Sequence, residues 1–188
     1  MLKIKQEIIN GCLQKERGAQ KALYQLLLPY LKPIVSRYLR NNQYVLDVLQ
    51  ESFVKIFTNI EEFSADKGRL ESWAAKIAIN RSINYNNRII GINTLEINET
   101  QLSESIDLSD ENTFDKKALE LILQKMPRGY FEVFNLYVID GYDHNEIGQI
   151  LDIDPTLSRK KLSRAREWFK KANLVKKIVV LFLLIMTL

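Results

Sequence analysis

Between Asn93 and Asp115 the chain carries seven acidic residues (Glu96, Glu99, Glu104, Asp107, Asp110, Glu111 and Asp115) and no lysine or arginine. The stretch is rich in Asn, Thr and Ser and lacks any sustained apolar period, so it reads as a solvated linker. A chain interrupted there folds as two pieces, each needing its own core, and 188 residues suffice for two small domains. Outside the linker 27 bases face 16 acids, so the overall charge of +4 hides a strongly basic remainder. With 7 glycines and 4 prolines the chain is neither collagen-like nor of low complexity. Cys12 and His144 stand alone, which excludes an internal disulfide and a zinc cluster and fits a reducing, cytoplasmic setting. The first residues lack the apolar run and cleavage site of a signal peptide.

Outside that stretch apolar residues recur at three- and four-residue steps, and no segment shows sustained alternation, so the fold class expected is all-α. Before the linker, Ala19, Ala22, Leu23, Leu26, Leu27, Tyr30, Leu31, Ile34, Val35, Tyr38 and Leu39 mark a first helix that Pro29 and Pro33 bend rather than abolish. A second helix spans about Val45 to Ile60, with Leu46, Leu49, Phe53, Ile56, Phe57 and Ile60 on its apolar side and Asp47, Gln50, Glu51 and Lys55 on the other. A third runs from about Leu70 to Arg88. After the linker, Leu119, Ile122, Leu123 and Met126 form one face, and Phe131, Val133, Phe134, Tyr137 and Val138 form the next, which Gly141 stops. Asp143 and Glu146 have capping-box spacing, and Asp154-Pro155 supplies an N-cap followed by proline at the first helical position. The domains expected are 1–92 and 116–173, with the linker at 93–115 and an apolar tail at 174–188.

Three clusters of residues could carry function. Two helices joined by the short Leu151-Asp152-Ile153 turn have helix-turn-helix proportions. From Thr156 to Lys177 the second of them and its extension hold nine bases against the single acid Glu167, an excess that suits a polyanion. In the third helix Arg81, Tyr85 and Arg88 lie at four- and three-residue steps beside Asn80 and Asn84, with Trp73 and Ile77 earlier. Cations for phosphates, aromatics for stacking and amides for base edges match what separated strands require. The plainer reading of Trp73 and Tyr85 is as core aromatics. Asp47, Gln50 and Glu51 make a polar face suited to protein docking. An acid/base pair there is disfavoured because the sequence gives no sign of the pocket and perturbed protonation it needs, and an acidic metal site because no third ligand is spaced to join them. His144 reads as a surface residue at a helix start, and Cys12 has no partner for nucleophilic catalysis.

The stretches from Asp47 to Phe57 and from Lys67 to Tyr85 resemble the second region of bacterial extracytoplasmic-function sigma factors. Met126-Pro127, Val133 to Tyr137, Gly141-Tyr142, Glu146-Ile147, Leu151 and Leu162 to Arg166 resemble the fourth region, in the same order. The resemblance implies a non-enzymatic initiation factor with no cofactor, composed of two helical domains, the C-terminal one a helix-turn-helix. Its implied partners are core RNA polymerase, promoter DNA and an inhibitory anti-sigma factor. By the same resemblance Asp47, Gln50, Glu51 and Phe53 bind polymerase, and Trp73, Asn80, Arg81, Asn84, Tyr85 and Arg88 meet the melted minus-ten element. Ser158, Arg159, Lys160, Lys161 and Arg164 then hold the minus-thirty-five element, and the acidic linker threads near the RNA exit path. The alternative kept open is a helix-turn-helix regulator without productive polymerase docking, tethered to a membrane by its tail.

The chain departs from the family pattern at several places. Thr156-Leu157 stands where Gly-Thr is common, Trp73-Ala74 where Trp-Leu is usual, and Asn86-Asn87 where bases are frequent. The apolar tail from Ile178 to Leu188 follows Lys176-Lys177, and eleven residues of helix reach only about 16 Å, short of a ~30 Å hydrocarbon core. Its readings are packing on the fourth region or on a partner, shallow insertion as a basic-flanked membrane contact, and truncation of something longer. Packing is preferred because it hides the patch without a bilayer.

Overall fold

A computed structural model describes residues 4–39, 42–93 and 125–171, with the side chains of 89–93 and 171 excepted. The acidic linker, the Leu119 to Leu123 face and the apolar tail, with the readings made for them, lie outside the described residues. The chain divides into two compact units, Met1–Ile97 and Asn98–Leu188, and every described regular element in both is helical.

The first unit holds α1 (Gln6–Leu13), α2 (Arg17–Tyr38), α3 (Val45–Thr58) and α4 (Leu70–Asn93), with short 3-10 turns between the last three. In α2 the residues Leu23, Leu27, Leu31, Val35 and Tyr38 recur every three or four positions and are all buried. Pro29 and Pro33 are four apart on the exposed face, so the hydrogen bonds they remove fall where water replaces them and α2 continues through both. α1 was not foreseen, because its buried set is only Ile9, Gly11 and Cys12. Gly11 lets it approach α2 closely: a Cβ there would stand 2.6 Å from that of Ala19.

The buried side of α4 is built from small residues, Ala74, Ala75, Ala78 and Ser82, with Leu70, Ile79 and Ile83. Ser82 returns its hydroxyl to the Ala78 carbonyl at 2.8 Å, so a polar side chain sits in the core without an unmet donor. Asn86 donates to the Tyr38 carbonyl at 2.9 Å, satisfying the last turn of α2. The departure from a basic residue at this position therefore has a structural role.

In the second unit α5 (Arg128–Phe134) runs into a π-helical segment, Asn135–Ile139, then α6 (His144–Leu151) and α7 (Pro155–Lys171) follow. Met126, Val133, Leu136, Ile147, Leu162 and Ala165 form its buried centre, and Phe134 packs on Phe169 with ring centroids 5.1 Å apart. The expected capping box is present. Asp143 accepts from the Asn145 and Glu146 amides at 2.7 and 2.8 Å, and Glu146 accepts from the Asp143 amide at 2.9 Å. Between α6 and α7 the chain turns through Asp152 in the left-handed region, and the Ile153 amide bonds the Gly148 carbonyl at 3.0 Å. A Cβ at Gly148 would lie 2.7 Å from the Ile153 carbonyl oxygen, so this turn requires glycine. Asp154 then accepts from the Thr156 amide at 2.6 Å and starts α7.

Candidate functional site

In α3 the buried stripe is Val45, Val48, Leu49, Ser52, Phe53 and Ile56. This corrects two expectations. Leu46 is 67% exposed rather than part of the apolar side, and Phe53 is 4% exposed, so it cannot form a surface contact. The Phe53 ring lies 4.5 Å from Tyr24 and 6.0 Å from Phe57, where it fixes α3 against the core and supports the polar face from beneath. That face carries Asp47, Gln50 and Glu51 together with the exposed apolar side chains Leu46 and Val54. Leu46, Gln50 and Val54 are spaced four apart and align along the helix. Sequence reading missed the two apolar members because a leucine and a valine on an amphipathic helix default to the core side.

The polar face and the α4 residues, treated as separate sets in the sequence, meet on one surface. An open groove of about 440 Å³ is lined by Asp47, Gln50, Glu51, Val54, Lys55 and Thr58 from α3 and by Arg81 from α4. Arg88 donates to both Glu51 carboxylate oxygens, at 3.0 and 3.2 Å. Its guanidinium also sits 5.5 Å from the Tyr85 ring centre, and Tyr85 packs on Tyr44 at 5.2 Å. Partial burial pushes the Tyr85 hydroxyl up first, with Tyr44, Asp47 and Glu51 adding to the rise and Arg88 opposing it. Arg81 and Tyr85 are half-buried while Asn84 and Arg88 are exposed. Asn80 is half-buried, and its side-chain oxygen is enclosed without a hydrogen-bond partner. Trp73 stands apart from this group. Twelve residues of helix separate it from Tyr85, about 18 Å along the axis, and its half-buried ring packs on Phe63 at 5.9 Å.

In α7 the core side consists of Ser158, Leu162 and Ala165, with Phe169 partly buried. Ser158 is 0% exposed, and its hydroxyl lies 2.8 Å from His144 Nδ1. It cannot reach DNA, which corrects the expectation placed on it: the serine joins α7 to α6. His144 is correspondingly not a free surface residue, because its ring stacks on Tyr137 at 4.6 Å and 22°. Desolvation first, then Arg159, lowers the His144 pKa, with Arg166 adding to the fall and Asp143 opposing it.

Thr156, Leu157, Arg159, Lys160, Ser163 and Arg164 are exposed on α7. Arg164 is paired with Glu167 at 2.9 Å, and Arg159 reaches the Thr156 hydroxyl at 3.4 Å. Lys161 is half-buried on the flank, its side chain lying over Gly129 of α5, 3.1 Å from where a Cβ there would stand. It therefore sits aside from the exposed row. Among the described residues no three His, Cys, Asp or Glu side chains gather to hold a metal ion, and no helix is long and apolar enough to cross a membrane. Cys12 is buried, and burial followed by nearby Glu16 pushes its thiol pKa up, away from the thiolate that nucleophilic chemistry needs.

Comparison with known proteins finds the same two regions. Residues 23–88 match the family model of sigma-70 region 2, and residues 116–169 match that of sigma-70 region 4. The chain is 29% identical over 167 residues to the ECF RNA polymerase sigma-E factor of Salmonella typhimurium, covering 81% of this chain and 86% of that one. It is 28% identical to the Escherichia coli K12 protein of that name, over the same shares of each chain. The Haemophilus influenzae protein of that name is 26% identical over 170 residues, 81% of this chain and 87% of its own. Among solved structures, the sigma factor RpoE in complex with the anti-sigma factor NepR from Bartonella quintana aligns with a TM-score of 0.58 and 16% identity, over 84% of this chain and 98% of that one. CnrH in complex with the cytosolic domain of CnrY aligns with a TM-score of 0.54 and 18% identity, over 90% and 97%. Two region models in order, on either side of an acidic linker, place the chain in the sigma-70 family of RNA polymerase sigma factors, in its extracytoplasmic-function group.

Proposed function

We propose that this sigma factor docks on core RNA polymerase through the α3 face of Asp47, Gln50 and Glu51, with Leu46 and Val54 supplying the apolar contact. The protein directs promoter-specific initiation and is not an enzyme. The observation that carries the docking assignment is the pair of large apolar side chains left exposed beside three polar ones on a rigid helix. This is the composition of a protein interface with an apolar centre and a polar rim. The neighbouring α4 residues Asn80, Arg81, Asn84, Tyr85 and Arg88 meet the melted minus-ten strand, where Tyr85 offers a stacking surface and the arginines neutralise phosphates. Trp73 borders the minus-ten surface from the far end of α4. Thr156, Arg159, Lys160 and Arg164 hold the minus-thirty-five duplex, with Lys161 at the edge of that contact.

On this reading 1–92 and 116–173 are the two working domains and 93–115 is the connection threaded through polymerase. The protein works in the cytoplasm, where polymerase and chromosome are. An anti-sigma factor is the expected inhibitory partner, since the sigma factor RpoE, whose fold it shares, is found in complex with the anti-sigma factor NepR.

The test is co-purification with core polymerase followed by run-off transcription from a promoter library. Selective transcripts are expected from the wild type. Glu51→Lys should abolish core binding and leave duplex binding by the second unit intact, and unchanged core affinity in that variant would overturn the docking assignment.

A further inference from the structure

We infer that Leu157 reads the 5-methyl group of a thymine in the minus-thirty-five element and so sets part of the promoter preference of this chain. The inference rests on the proposed placement of α7 in the major groove. Leu157 lies in the first turn of α7 and is 42% exposed, between Thr156 and the basic pair Arg159 and Lys160. Single exposed leucines are common on protein surfaces. This one is held outward by contacts on both sides. The adjoining Ser158 is fully buried with its hydroxyl 2.8 Å from His144, and Asp154 accepts the Thr156 amide at 2.6 Å. The glycine-dependent turn ending at Ile153 fixes the entry of the chain into the helix. α7 therefore cannot rotate about its axis to bury Leu157 without breaking the contact between α6 and α7.

In a helix-turn-helix the N-terminal residues of the second helix meet the base edges. A leucine offers no donor or acceptor there. The apolar feature displayed by the major groove is the thymine methyl, whereas cytosine presents an amino donor and guanine two acceptors that an aliphatic side chain would strip of water. Arg159 and Lys160 supply the polar and phosphate contacts around it. The expected specificity is thymine over cytosine at the base pair that Leu157 touches.

Replacing thymine by deoxyuridine removes the methyl and nothing else. The full-length protein bound to core polymerase is given its selected promoter, with each minus-thirty-five thymine replaced singly by deoxyuridine. One replacement should weaken wild-type binding about fourfold, the equivalent of one buried methylene. Leu157→Ser should bind the thymine and deoxyuridine promoters equally at that position, while Lys160→Ala keeps the difference. An unchanged Trp168 emission spectrum of the free protein in a Trp73→Phe background shows that the variant is folded. If no replacement matters in a wild type that binds selectively, or if the difference survives in Leu157→Ser, the inference is overturned while α7 remains the reader. If Arg159→Ala and Lys160→Ala combined leave minus-thirty-five binding unchanged, the placement of α7 fails and the Leu157 assignment fails with it.

Discussion

Phe53 and Leu46 show how little residue type alone says about role. Both are large and apolar and occupy one helix, yet one is in the core and the other in water. Phe53→Ala should destabilise the first unit by about 3–5 kcal/mol, the usual result of emptying a packed aromatic site. Leu46→Ala should stay within about 0.5 kcal/mol of wild type and yet weaken core polymerase binding. Chemical denaturation followed through Trp73 emission in a Trp168→Phe background checks the first half, and a core-binding titration checks the second. Equal stability losses in the two variants would contradict the burial pattern. His144 is a second case. Its folded pKa lies below the ordinary 6.5 because desolvation and Arg159 disfavour the imidazolium. The unfolded chain therefore binds the proton more readily, so stability is intact above about pH 6.5 and falls as pH drops through that value toward the depressed folded one. His144 is the single histidine of the chain, so its ring resonance can be followed by NMR without assignment. A midpoint at or above 6.5 would refute the shift, and His144→Gln should flatten the acid side of the stability profile.

Two local constructions decide how the elements work. The α6–α7 turn brings the Ile153 carbonyl close to the α carbon of Gly148, and both partners are backbone. Gly148→Ala should cost about 1–3 kcal/mol in the second unit, as overpacking does where nothing flexible can give. Minus-thirty-five binding should be lost while docking through the first unit survives. Melting followed through Trp168 in a Trp73→Phe background, with a parallel core-binding assay, would show this, and an unshifted transition would mean that the turn tolerates a side chain. On the other unit, the Glu51–Arg88 pair joins α3 to α4 with both side chains substantially exposed. Exposed pairs are worth roughly 0.2–1 kcal/mol, so Glu51→Gln and Arg88→Ala should each leave folding stability nearly unchanged. A double-mutant cycle should return a coupling of under about 1 kcal/mol. Such a pair opens readily, so it does not stand in the way of the polymerase contact proposed for Glu51 or the DNA contact proposed for Arg88. A coupling well above that range would make it a structural clamp instead.

For the whole molecule, the basic excess concentrated between Thr156 and Lys177, nine bases against one acid, should make duplex binding fall steeply with salt. Lys160→Ala should reduce the slope of log affinity against log salt by about one, whereas Lys161→Ala, whose side chain lies over Gly129, should change it less. Fluorescence anisotropy with a labelled duplex at several salt concentrations separates the two, and equal reductions would put Lys161 on the DNA as well. Division into two helical units, the capping box, the proline start of α7 and the basic charge of that helix were all legible in the sequence. Each is written in short-range periodicity, local hydrogen-bond chemistry or charge density, which neighbouring residues determine among themselves. The burial of Ser158, the exposure of Leu46 and Leu157, the role of Asn86 and the meeting of Glu51 with Arg88 were not. An amphipathic pattern leaves the boundary residues of a helical face free to go either way, and the helix packed against them decides. Asn86 bonds a carbonyl 48 residues away, and Arg88 pairs with an acid 37 residues away. Contacts at that separation arise from how the helices cross, so they belong to the tertiary structure alone.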